Sequence, residues 1–139
     1  MRPPHAGDLA DLASLLGELG YPTTVAAAEK RLRLFAQHPD VAVFVADREA
    51  RAVGLATAHL LRVLHADRPM VVLSALVVAE RARGEGIGRL LVDAVEAWGA
   101  RRGAYRVTVA SGLVRDGAHA FYERLGYEHT SRRYSKLLP

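Results

Sequence analysis

Residues 77–91 of the chain read VVAERARGEGIGRLL, and three local patterns follow one another in this segment. Its first residues end an apolar, β-branched run, Met70 to Val78, which predicts a central strand buried on both faces. A loop rich in glycine follows. From Leu90 onward, apolar residues recur at helical spacing as far as Trp98. The segment therefore predicts a strand, a glycine loop and a helix in immediate succession.

A glycine loop in front of a helix is a site for anions, because free backbone N–H groups and the positive end of the helix dipole point at it. Here the loop runs from Arg83 to Gly88, and Arg81 and Arg89 add positive charge beside it. A P-loop needs Lys and then Ser or Thr after its last glycine, and the third glycine of a Rossmann fingerprint would follow Gly88 by one position. Both nucleotide motifs therefore fail on spacing. For the loop taken alone, a tight turn without a ligand stays the alternative.

The rest of the chain predicts alternating helices and strands. On the N-terminal side these are a helix with Leu9, Leu12, Leu16 and Leu19 on one face, a helix with Val25, Ala28, Leu32 and Phe35 on one face, and an antiparallel hairpin of Val41 to Ala46 with Ala52 to Leu64. Asp8 and Thr24 are placed to cap the two helices, and Gly20 to end the first. On the C-terminal side the sequence predicts a strand from Tyr105 to Ala110. Asp116 is placed to begin a helix whose inward-facing residues are Ala118, Phe121, Tyr122 and Leu125, and the stretch from Tyr127 to Leu138 has room for one more strand.

Composition bounds the class of protein. The chain has 139 residues, 50% hydrophobic and 24% charged, which predicts one folded domain over residues 1–139 and excludes a disordered scaffold. It has no cysteine, which excludes disulfides, thiolate nucleophiles and cysteine-based metal sites. It carries neither the apolar stretch of a signal peptide nor one long enough for a membrane helix, so we expect a cytoplasmic protein. The net charge of +4 favours anionic partners: nucleic acid, a membrane surface or a phosphorylated cofactor.

Two motifs resemble those of the GNAT superfamily of N-acetyltransferases. Arg83, Gly86 and Gly88 match its acetyl-CoA signature, R/Q-x-x-G-x-G/A, and residues 118–127, AHAFYERLGY, resemble its second motif. The order of the predicted elements also agrees with this family. The resemblance implies an α/β (α+β) single domain, with a mixed, mostly antiparallel sheet of about six strands, four flanking helices and splayed central strands. One departure is the N-terminus, where the family's first strand is short or absent.

The resemblance also implies a binding site for acetyl-CoA as co-substrate, without a metal. Pantetheine then lies between the splayed strands, the backbone of Leu76 and Val78 pairs with it, and an N–H near Val78 polarises the thioester carbonyl as an oxyanion donor does. The N–H groups from Arg83 to Arg89 hold the pyrophosphate. The residues implied to bind the donor are Leu76, Val77, Val78, Arg83, Gly84, Glu85, Gly86, Ile87, Gly88, Arg89, Arg115, Phe121 and Tyr122.

The catalytic residues are implied less completely. Tyr122 stands at the position of the family's general acid, which protonates the departing thiolate. The strand position where many relatives carry a basic glutamate is Ser74, with Ala75 beside it. Histidine accepts protons at neutral pH, which makes His119, one helical turn before Tyr122, the first candidate base. The other candidates are His59, His65 and Glu80, and a reaction without a dedicated base is the alternative.

The function implied is transfer of an acetyl group from acetyl-CoA to a primary amine of a small molecule, by direct attack. A protein lysine or N-terminal amine is the nearest alternative acceptor, and a domain that senses acyl-CoA without turnover is a second class. Nucleic-acid binding is a third class, but the basic residues are spread along the chain and no base-reading motif accompanies them. We therefore expect no nucleic-acid or membrane partner. We expect a homodimer, because many members of the resembled family form dimers.

Overall fold

A computed structural model describes residues 1–110, 117–130 and 133–139 of the chain. The helices are α1 (Leu9–Leu19), α2 (Val25–Ala36), α3 (Ile87–Arg101) and α4 (Ala118–Arg124). The strands are β1 (Val41–Arg48), β2 (Arg51–Leu61), β3 (Met70–Val78) and β4 (Val107–Val109). Two single turns of 3₁₀-helix, Ala6–Asp8 and Glu80–Ala82, precede α1 and follow β3.

The strands form one open mixed sheet in the order β1-β2-β3-β4. β1 pairs with β2 and β2 with β3 in antiparallel fashion, whereas β3 and β4 are parallel. The predicted mixed sheet with four flanking helices is confirmed. The prediction of about six strands is wrong, since the residues that the structure describes form four.

Both missing strands have a local explanation. At the N-terminus a single bridge joins Arg2 to Val45, and the next two residues, Pro3 and Pro4, have no N–H with which to extend it. At the C-terminus the N–H of Tyr127 donates to Tyr122 O at 3.0 Å, which ties the start of this segment to the end of α4. The described residues beyond it, 128–130 and 133–139, are exposed and belong to no strand.

Each face of the sheet carries its own core. Val53 and Leu55 of β2 pack with Leu12 and Leu15 of α1 on one face. On the other face, alternate residues of β2 and β3 pack against α3 in a second cluster: Ala56, Ala58, Leu60, Val71, Leu73, Leu91, Val92 and Val95. Side chains alternate between the faces of a strand, so the faces of β2 are set by its sequence. Odd-numbered residues from Val53 to His59 lie on the α1 side.

Two of the three predicted helix-end residues that the structure describes have their predicted roles. The Thr24 side chain accepts a hydrogen bond from Ala27 N and begins α2, and Gly20 ends α1 with φ of 108°. The prediction that Asp8 caps α1 is wrong, because its carboxylate accepts bonds from Arg2 and from the N–H of His5. Asp116, the predicted start of α4, lies outside the described residues.

Candidate active site

The sheet opens between β3 and β4. β3 pairs with β2 along its length but with β4 only from Val71 to Leu73, and the last bond between them runs from Ala110 N to Leu73 O at 2.9 Å. From Ser74 to Val78, the β3 edge away from β2 has no partner strand among the described residues. We call this edge the slot. Within the described ranges the two central strands are therefore paired only at this end, which agrees with the splayed strands that the resemblance implies.

A bulge decides which backbone groups enter the slot. Thr57 pairs with Ala75 and Ala58 with Leu73, so Ser74 is an extra residue in β3. Beyond the bulge, Ala79 N donates to Val53 O at 2.8 Å, which directs the backbone of Ala79 and, by alternation, that of Val77 toward β2. The N–H and C=O groups of Leu76 and Val78 consequently point into the slot.

This alternation corrects one predicted contact. Val77 was expected to bind the donor, but its backbone groups face β2 and its side chain is buried in the α1-side core. It offers no polar group to the slot. Leu76 and Val78, the other two predicted β3 residues, have the orientation that a ligand lying along the strand requires.

The glycine loop follows directly from the end of β3. Gly84 and Gly86 have φ of 81° and 82°, a conformation that favours glycine, and no described atom lies within 4 Å of a Cβ built on either. The first backbone hydrogen bond of α3 runs from Leu90 N to Gly86 O at 3.2 Å, so the N–H groups of Ile87, Gly88 and Arg89 precede the hydrogen-bonded part of the helix. Open space and free donors at a helix N-terminus fit a pyrophosphate.

Two charged side chains of the glycine loop bind groups elsewhere in the protein and so hold the loop in place. Arg83 Nε donates to Val78 O at 3.0 Å, and its guanidinium lies 3.6 Å from Glu18 Oε1. Glu85 forms an ion pair with Arg48 at the β1–β2 hairpin. Arg83 and Glu85 are thus brought to the predicted loop, but their side chains hold protein groups. The anion is left to the loop's backbone N–H groups and to Arg89, which is exposed and has no salt bridge in the part of the chain that the structure describes.

α4 brings the predicted aromatic pair to this loop. Phe121 touches the start of α3, since a Cβ built on Gly88 lies 3.2 Å from Phe121 Cζ. The Tyr122 ring is half-buried and packs edge-on against Phe121 and Tyr127, with centroids 5.1 and 5.8 Å away. Burial raises the pKa of Tyr122 to about 12. Its phenol therefore keeps its proton at neutral pH, as a general acid must.

The predicted bases are in different surroundings. His119 is exposed on α4, where its ring lies 5.6 Å from that of His129. His65 is exposed in the β2–β3 connection, and Glu80 is exposed with its N–H bound to Glu18 Oε1. Only His59 is held at the bulge, where its Nε2 lies 2.8 Å from Ser74 Oγ. Arg115 lies outside the described residues.

The sequence reading missed the contact between His59 and Ser74. Thr57 and His59 alternate by two along β2 and so share a face, which is visible in the sequence. The bulge that turns Ser74 toward both of them is not. Ser74 Oγ lies 2.7 Å from Thr57 Oγ1 as well, and burial lowers the pKa of His59.

No helix in the described ranges is long and apolar enough to cross a membrane. The same residues contain no group of three or more histidine, aspartate or glutamate side chains placed to hold a metal ion.

Comparison with known proteins identifies the family. Residues 11–127 match the acetyltransferase (GNAT) family. The chain belongs to this family. The GNAT prediction made from the loop and the second motif is therefore confirmed, and with it, at the level of the family, the enzyme class of acyltransferase.

The relatives of this GNAT chain have several activities. The aminoalkylphosphonate N-acetyltransferase of Salmonella typhimurium is 31% identical over 100 residues, a match that covers 72% of this chain and 65% of that protein. A transcriptional regulator from Bacillus halodurans C-125 has the same fold, with a TM-score of 0.88 and 20% identity over 99% of this chain and 97% of that one. An aminoglycoside N-acetyltransferase in complex with CoA has a TM-score of 0.78 and 23% identity over 94% of this chain and 88% of that one. The two structures support the fold alone.

Proposed function

We propose that this GNAT protein transfers the acetyl group of acetyl-CoA to a primary amine of a small molecule, by direct attack in a ternary complex. The observation that carries the proposal is the slot. It presents outward-facing backbone groups of Leu76 and Val78 and runs directly into a glycine loop with open space and free N–H groups.

The slot and the loop together determine the orientation in which acetyl-CoA would bind. A pyrophosphate on the N–H groups from Gly84 to Arg89 lies beyond the end of β3, so pantetheine runs back along the strand toward Ser74. That distance along β3, from Val78 to Ser74, is about 13 Å at about 3.3 Å per residue. Of the two slot-facing N–H groups, Leu76 is nearer to Ser74. We assign the thioester carbonyl to Leu76 N–H and a pantetheine amide to Val78 N–H, which moves the predicted oxyanion donor by two residues.

The chemistry requires two proton transfers. The amine, once it has lost a proton, attacks the thioester carbonyl carbon. The new C–N bond forms, and the C–S bond breaks with its electron pair on sulfur. Tyr122 then donates its phenolic proton to that sulfur, a role for which its raised pKa of about 12 keeps it protonated.

The acceptor is proposed to be a small molecule because the relative at 31% identity is named for acetylating one, an aminoalkylphosphonate. A protein amine is the competing acceptor. The cytoplasmic location and the homodimer stay predictions. Arg115 and His119 also stay predictions, as a pantetheine contact and as a base.

The first experiment is calorimetric titration with acetyl-CoA, desulfo-CoA and adenosine diphosphate, each separately. We expect micromolar binding of the two CoA compounds and its loss in Gly86→Glu, which places a carboxylate in the open space of the loop. A panel of aminoalkylphosphonates, aminoglycosides and lysine peptides then follows, with free thiol as the readout. Binding without release of thiol to any amine would favour the sensor class, and absence of binding would overturn the proposal.

A further inference from the structure

We propose that His59, acting through the hydroxyl of Ser74, takes the proton from the attacking amine. This inference rests on the proposed function and deepens it, because it supplies the base that the sequence left open. It is carried by three side chains that meet where β3 parts from β4: Thr57, His59 and Ser74.

The position of Ser74 relative to the slot is the first argument. Leu73 makes the last hydrogen bond to the β4 side, and Ser74 is the next residue, at the closed end of the slot. The proposed path of pantetheine ends there. An amine that attacks the thioester carbonyl near Leu76 therefore passes within reach of the Ser74 side chain, on the face of the sheet that carries α1 and α2.

The hydrogen-bonding capacity of Ser74 is the second argument. A hydroxyl has one donor and two acceptor positions. Ser74 Oγ lies 2.8 Å from His59 Nε2 and 2.7 Å from Thr57 Oγ1, and a longer contact of 3.3 Å allows its hydroxyl to donate to Thr57 O instead. When Ser74 donates to His59 and accepts from Thr57, one lone pair remains for an N–H of the amine. This assignment requires the His59 tautomer that carries its proton on Nδ1.

The surroundings of His59 are the third argument. Among the described residues, the groups that face it from the packed elements are Phe35 of α2, Val41 of β1, and Val72 and Ser74 of β3, none of which carries a charge. Phe35 packs edge-on, with ring centroids 5.5 Å apart. Arg31, one turn earlier on α2, donates to Thr23 Oγ1 instead. Burial alone lowers the pKa of His59, which keeps the imidazole neutral and able to accept a proton at neutral pH.

The proposed step balances without a further reactant. One proton of the protonated amine passes to Ser74 Oγ as the hydroxyl proton of Ser74 passes to His59 Nε2. The amine lone pair is thereby free to form the C–N bond. His59 ends as imidazolium, and after the product leaves its Nε2 proton returns to Ser74 Oγ as the Ser74 hydroxyl proton passes to water, which restores the tautomer protonated on Nδ1. The thiolate takes its proton separately, from Tyr122.

The test is a set of variants assayed with the small amine that the wild type acetylates fastest. General bases contribute about 100- to 10,000-fold, so we expect His59→Gln and Ser74→Ala each to lower kcat at neutral pH by at least about 100-fold. The affinity for acetyl-CoA, measured by calorimetry, stays unchanged. The deficit shrinks at high pH, where the amine loses its proton to water. Ser74→Thr keeps the hydroxyl and recovers most of the rate, and His38→Gln, the same change at an exposed histidine, has no effect.

Two further readouts separate this role from a structural one. The acidic limb of the wild-type kcat/KM profile lies below the usual histidine pKa and is absent in His59→Gln. We expect nitrogen-15 NMR of the free protein to show His59 protonated on Nδ1 at neutral pH. A His59→Gln variant with the wild-type kcat and pH profile, or a His59 protonated on Nε2, would overturn this inference and leave the proposed function standing. A wild type that binds no acetyl-CoA or acetylates no amine overturns the proposed function, and the inference with it.

Discussion

The two halves of β3 have similar sequences and opposite roles. From Met70 to Leu73 the strand lies between β2 and β4, and Val71 and Leu73 are buried in the α3-side core. From Ser74 to Val78 it keeps β2 but has no pairing with the described part of β4, and the N–H groups of Leu76 and Val78 face away from β2. Composition does not distinguish the halves, because both are apolar and rich in valine and leucine. What distinguishes the two halves is that β4 pairs with the first half. The closed half is expected to determine stability, and the open half to determine binding and reaction.

The largest expected effect is at the open half. Tyr122→Phe removes the phenolic proton that the thiolate receives, so we expect kcat to fall by about 100-fold or more. The affinity for acetyl-CoA stays unchanged, because the ring and its packing against Phe121 are retained. Steady-state kinetics and calorimetry of the same preparation provide both values.

Tyr127→Phe is the matched control for that variant. The Tyr127 ring lies 5.8 Å from that of Tyr122, and its hydroxyl donates to Glu96 Oε2 at 2.7 Å. Its removal is expected to cost about 0.5–1.5 kcal/mol of stability and to leave kcat at the wild-type level. Equal kcat values for the two variants would exclude Tyr122 as the acid.

The next effect is on the closed half. A Cβ built on Gly99 of α3 lies 2.6 Å from Val71 Cγ2, so Gly99→Ala forces the helix away from the strand. Overpacking of this kind typically costs about 1–3 kcal/mol. We expect a lower free energy of unfolding in urea, with kcat and acetyl-CoA affinity near those of the wild type at a temperature where the variant is folded.

Gly17→Ala is the control for helix propensity. Gly17 lies within α1, and no described atom is within 4 Å of the added Cβ. The same substitution is there expected to stabilise the protein by about 0.5–1 kcal/mol. If Gly99→Ala were as stable as the wild type but bound acetyl-CoA poorly, the division of β3 into a stabilising and a binding half would be wrong.

The sequence predicted the periodic parts of the molecule well. The leucines of α1, the apolar run of β3 and the glycine stop at Gly20 are local patterns, and they appear where they were expected. The glycine loop was likewise predicted from local sequence, and the resemblance added its ligand and the role of Tyr122. The extra strands failed because strand pairing needs a partner edge as well as an apolar sequence, and Pro3 and Pro4 prevent it at one end.

The active-site details depend on register, which a single sequence does not contain. The resemblance already implied that the backbone of Leu76 and Val78 pairs with pantetheine, and the residue inserted at Ser74 adds that the backbone of Val77 faces β2 instead. The same insertion joins Ser74 to His59, which ranks a histidine of β2 above His119. Neither result follows from spacing, because residues 57, 59 and 74 meet only when the strands are paired.

The last effect is expected at the edge of the sheet farthest from the slot, where Asp8 is 1% exposed and bound by both terminal nitrogens of Arg2 at 2.8 Å. Hydrogen bonds from Arg2 hold the pKa of Asp8 below its usual 3.8, so this carboxylate stabilises the fold above that pH and ceases to do so as the pH falls through the lowered value. Asp8→Asn should lower the free energy of unfolding at neutral pH by about 1–3 kcal/mol, and the difference from the wild type should narrow below pH 3.8.

Asp47→Asn removes an exposed partner of the same arginine and should cost no more than about 1 kcal/mol. Urea titrations over a pH series measure both variants, and a constant difference for Asp8→Asn would show that packing, instead of its charge, supports this corner. Acetyl-CoA affinity should be unaffected in both, since β1 and β2 lie between this corner and the open half of β3.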